Sequence, residues 1–75
     1  MQELLGQVVK NDGVALKQAL AGLEPLNFRH LGDFVFKAEL PEGKIIIVST
    51  IPVDEPAEEI RIVGISLYVK ASPIS

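Results

Sequence analysis

Residues 44–51, Lys-Ile-Ile-Ile-Val-Ser-Thr-Ile, constrain this chain more than any other stretch. The run is nearly all β-branched, too short for a helix and bounded by turn residues, which predicts a strand. Ile45, Ile46, Ile47 and Val48 follow one another directly, so both faces of that strand are apolar and both need cover.

The preceding segment supplies the first neighbour. Over residues 33–40, Phe34, Phe36, Ala38 and Leu40 alternate with Asp33, Val35, Lys37 and Glu39, the pattern of a half-buried strand. Between the two strands lies Pro41-Glu42-Gly43, in which Pro41 suits the first corner of a type I turn and Gly43 a left-handed bulge position. A three-residue loop pairs Leu40 with Lys44, Ala38 with Ile46 and Phe36 with Val48. A third strand is expected at about residues 60–70, after an acidic, proline-bearing loop. Its odd positions, Val63, Ile65, Leu67 and Val69, are uniformly apolar and are expected to face the core. Ile60, Ile62 and Tyr68 then fall on the other face with Gly64 and Ser66, and Gly64 marks either a bulge or a site of close approach. Residues 71–75 read as a tail.

The first third reads as helical. Leu4, Leu5, Val8 and Val9 recur at helical spacing, and Ala15, Leu16, Ala19, Leu20 and Leu23 resume the pattern after Asn11-Asp12-Gly13. One continuous helix over residues 2–23 would put Asp12 on the buried stripe, a costly place for an unpartnered carboxylate. Two short helices, the second capped by Asp12, are favoured over one broken helix. Pro25 then closes the helical region, and residues 26–32 form a connector. The expected fold is a single α+β domain, a helical region on one face of a three-stranded antiparallel β-meander.

Composition narrows the function classes. Seventy-five residues bury only about 60% of their unfolded surface, so small domains usually need disulfides, a metal or oligomerisation. There is no cysteine, and His30 is the one histidine, which argues against disulfides, thiolate chemistry and a histidine-rich metal site. Apolar residues make up 48% of the chain, in runs far shorter than the roughly 18 residues of a membrane span. The opening residues lack a basic stretch followed by a long apolar one, so a cytoplasmic location is expected and a membrane is not. A net charge of −3 without a basic run disfavours nucleic acid. No cofactor and no metal is expected.

Two functional readings follow. A helical layer covers one sheet face only, leaving Val35, Ile45, Ile47, Ile51, Ile62 and Tyr68 on the other. Such a patch marks a contact surface for a second copy or another protein, hence a non-catalytic oligomerisation or interaction module. The alternative is a small-ligand site or minor enzyme around Arg29, His30 and Asp33, where a cation, a base and an acid cluster, completed at a dimer interface. The carboxylates Asp54, Glu55, Glu58 and Glu59 lack the alternation and turn glycine of a calcium loop and read as a solvated loop guarding strand edges.

Overall fold

The isoleucine-rich strand sits at the centre of the sheet, paired along both edges. In the computed structural model, which describes residues 4–69, it is β4 (Lys44–Pro52). The elements in order are β1 (Val8–Lys10), α1 (Gly13–Ala19), a 3-10 turn (Ala21–Leu23), β2 (Arg29–His30), β3 (Val35–Leu40), β4 and β5 (Glu59–Val69). All neighbours are antiparallel, in the order β1-β5-β4-β3-β2. The class is α+β, and the sheet has five strands where three were expected.

The β3–β4 hairpin has the expected register, with Leu40 opposite Lys44, Ala38 opposite Ile46 and Phe36 opposite Val48. Glu42 joins Gly43 in the left-handed region, at φ 66° and 74°. The two added strands are short edges. β2 forms from the expected connector and pairs Arg29 with Lys37 and His30 with Phe36. β1 replaces the first expected helix. Val8, Val9 and Lys10 pair with Arg61, Ile60 and Glu59 of β5, while Leu4 packs against the core. A stripe of two leucines and two valines fits helix and strand alike, and the open edge of a long strand decided between them. The expected helix at residues 2–3, the end of the third strand at Lys70 and the tail at 71–75 lie outside the described residues.

The interruption at Asn11-Asp12-Gly13 is where the helix begins. Asp12 is its N-cap, and its Oδ1 accepts the Ala15 N–H at 2.7 Å. α1 packs closely: a Cβ added at Gly13 would lie 2.9 Å from the Phe28 carbonyl oxygen. Leu16 and Leu20 point from the helical segment into the core, joining Phe36, Ile46, Val48, Ile60 and Ile62. Thr50 is the buried polar residue of the set, and both its hydroxyl and its N–H donate to the Phe34 carbonyl, at 2.6 and 2.9 Å.

Ile60 and Ile62 were expected on the outer face and are instead fully buried in the core. The cause is a bulge. Thr50 pairs with Ile62 and Ser49 with Gly64, so Val63 is the extra residue and the inward positions switch from even to odd. Beyond it Ile65 and Leu67 stand opposite the inward Val48 and Ile46. The acidic loop is tied down at its far side: Asn11 Nδ2 donates to the Ala57 carbonyl at 2.9 Å, and the Asn11 N–H to that of Glu58 at 3.0 Å.

Candidate functional site

Arg29, His30 and Asp33 do not converge. Successive residues of β2 alternate across the sheet, so Arg29 shares the outer side with Lys37 while His30 shares the inner side with Phe36. The imidazole lies against the Phe36 ring, with centroids 4.4 Å apart and planes tilted by 41°. Asp33 is exposed in the turn between β2 and β3. Among the described residues, no hydrogen bond or ion pair joins any two of the three.

Arg29 belongs to a different group. A cleft of about 360 Å³ opens at the β2 edge, lined by Lys17, Asn27, Arg29, Lys37 and Glu39. Its geometry follows from two local facts. β2 sets Arg29 directly opposite Lys37, and the close approach of Gly13 to Phe28 brings Lys17, one turn further along α1, over Asn27. Lys17 Nζ donates to Asn27 Oδ1 at 3.2 Å. Among the described residues, three cations line the cleft against the one carboxylate of Glu39, so it is net positive on a chain of net charge −3. Lys37 and Lys17 were missed in the sequence because neither is near Arg29 in the chain. Only the β2–β3 pairing and the helix packing join them.

The expected contact residues divide. Ile62 is removed from the set by its burial. Val35, Ile45 and Ile47 are half-buried on the outer face, and Ile51 and Tyr68 are exposed there. On β5 itself, Val63 at the bulge and Leu67, Tyr68 and Val69 at the free end are 48, 58, 53 and 77% exposed. Among the described residues, β1 pairs only with the first part of β5, at Glu59, Ile60 and Arg61.

No cluster of three or more metal-ligating side chains and no helix long and apolar enough to cross a membrane occurs among the described residues. Comparison with known proteins found no matching family model, no similar curated protein and no similar solved structure.

Proposed function

We propose that the chain is a self-associating interaction module, in which a second copy docks on the exposed apolar part of β5. The observation that carries this reading is the concentration of exposed apolar side chains at Val63, Leu67, Tyr68 and Val69. Apolar side chains left in water on both faces of one strand are costly and commonly mark an interface. Lys37, Glu39, Arg61 and Glu59 lie around the apolar centre of the outer face, so a symmetric partner meets both signs of charge and no single-sign field opposes it. The small residues Ser49, Gly64 and Ser66 lower the surface between them and allow close approach.

Sedimentation equilibrium over a wide range of protein concentration tests the proposal. A dimer is expected, with Tyr68→Glu shifting it to monomer while the circular dichroism spectrum stays unchanged. A chain that remains monomeric up to the highest concentration reached refutes the reading.

The positive cleft favours a second reading, a site for a small anion. Arg29 supplies a fork suited to carboxylate or phosphate, and Lys17 and Lys37 supply further donors. Titration with inorganic phosphate, followed through the amide NMR signals of residues 27–29 and 37–39, is expected to move those signals saturably and to lose the effect in Lys37→Glu. Equal responses in both proteins would refute it.

A further inference from the structure

The backbone of β5 carries information that its side chains do not. The Ile62 N–H donates to the Gln7 carbonyl and the Ile62 carbonyl accepts from Gly6, so the backbone groups of Ile62 point away from β4. On the facing strand, the Thr50 N–H donates to the carbonyl of Phe34, the residue before β3, away from β5. Hydrogen-bonding direction alternates along a strand, so Val48 and Ile46 also point toward β3. Their β5 partners, Ile65 and Leu67, therefore direct their N–H and C=O groups outward at the sheet edge. Beyond Ile62 that edge meets no described strand. Gly6, in the left-handed region at φ 88°, turns the chain off the edge, and Leu4 packs against the core instead.

Edges of this kind are normally guarded by charge, proline or shortness. The other edges comply: β2 is two residues long and carries Arg29 and His30, and β1 is three residues long and ends in Lys10. Residues 62–69 of β5 contain no charge and no proline.

Resting on the self-association proposed above, we infer that two copies pair edge to edge through β5, antiparallel, about a two-fold axis at Ser66. This register follows from the residues themselves. It sets Ile65 opposite the partner's Leu67, the two positions whose backbone groups point outward, so each such pair exchanges two hydrogen bonds. It sets Gly64 opposite the partner's Tyr68, where an aromatic ring shields a bare glycine across the strands. Ser66 meets its own copy, hydroxyl beside hydroxyl. The pairing starts where β1 ends, so the second copy's strand continues the line of β1 and the sheet runs on as β2-β3-β4-β5 into the same strands of the second copy in reverse. Both helices then lie on one face and the two outer faces merge into one surface.

Because the chain lacks cysteine, single substitutions report the register cleanly. Ser66 and its copy form a non-hydrogen-bonded pair with Cα atoms about 4.5 Å apart, within the usual disulfide range of about 4.4–6.8 Å. Under mild oxidation Ser66→Cys is expected to give a covalent dimer in high yield, and Ile47→Cys, on the outer face, only a trace. Leu67→Pro removes an N–H that β4 does not use, and is expected to weaken dimerisation at least about tenfold relative to Leu67→Ala without unfolding the chain. A wild-type dimer in which Ile47→Cys crosslinks and Ser66→Cys does not overturns the edge pairing and leaves self-association standing. So does a dimer whose affinity is the same in Leu67→Pro and Leu67→Ala. A monomeric wild type overturns both.

Discussion

Gly13→Ala and Gly22→Ala make the same chemical change in the same helical region and are expected to shift stability in opposite directions. Neither glycine has a positive φ, so alanine fits the backbone at both sites. In each case alanine restricts the unfolded chain, a gain of about 0.4–1 kcal/mol. At Gly22 the new Cβ meets nothing within 4 Å, so that gain stands. At Gly13 it would lie 2.9 Å from the Phe28 carbonyl oxygen and 3.2 Å from the Phe28 Cβ. The first contact is with backbone and cannot be relieved by a side-chain rotation, so α1 or the segment carrying Phe28 must shift. Overpacking of this kind costs about 1–3 kcal/mol, which against the entropic gain leaves a net loss of up to about 2.6 kcal/mol, about 1.3 kcal/mol at the centre of the two ranges. A domain of this size has only about 4–11 kcal/mol in total, so the loss is measurable. Urea denaturation at one fixed protein concentration, to hold any dimer linkage constant, gives both values. If Gly13→Ala proves as stabilising as Gly22→Ala, α1 is not seated on Phe28, and the positive cleft loses the contact that brings Lys17 to it.

Asp12→Ala removes the N-cap acceptor of Ala15 and is expected to cost about 0.5–2 kcal/mol, read as a lower urea midpoint. Ile62→Lys replaces a fully buried side chain with a charge and is expected to cost more than about 4 kcal/mol, abolishing the dispersed NMR spectrum. A folded Ile62→Lys protein would return Ile62 to the outer face, where the simple alternation of β5 had put it.

How far the fold could be read from the sequence depended on whether one local pattern excluded its competitors. In the β3–β4 hairpin it did. Phe34, Phe36, Ala38 and Leu40 alternate with polar residues, and the turn chemistry of Pro41 and Gly43 allows one register. In β5 it did not, because Ile60 and Ile62 are as apolar as Ile65 and Leu67, so the sequence carries two inward phases and the bulge joins them. Gly64 was the one local sign of that bulge. Leu4, Leu5, Val8 and Val9 satisfied helical and extended spacing together, and a partner more than 50 positions away in the chain settled the matter. Arg29 was found as a candidate, but its companions Lys17 and Lys37 are neighbours only through pairing and packing.

The bulge also connects the core to the free edge. On β5 the residues whose side chains point inward are those whose backbone groups point outward, as Ile62 shows through its bonds to β1. Had the even phase continued, Gly64, Ser66 and Tyr68 would have lined the inner face. The inserted Val63 transfers both properties to the odd positions at once. Ile65 can then pack against the core while its backbone stays available at the edge, and Leu67 and Val69 extend the same apolar row into solvent. A chain that only had to bury its core gains nothing from keeping that row apolar, since Leu67 and Val69 remain in water. Charged residues there would cost the core nothing and would guard the edge. Their absence is what a sheet that continues into a second copy requires.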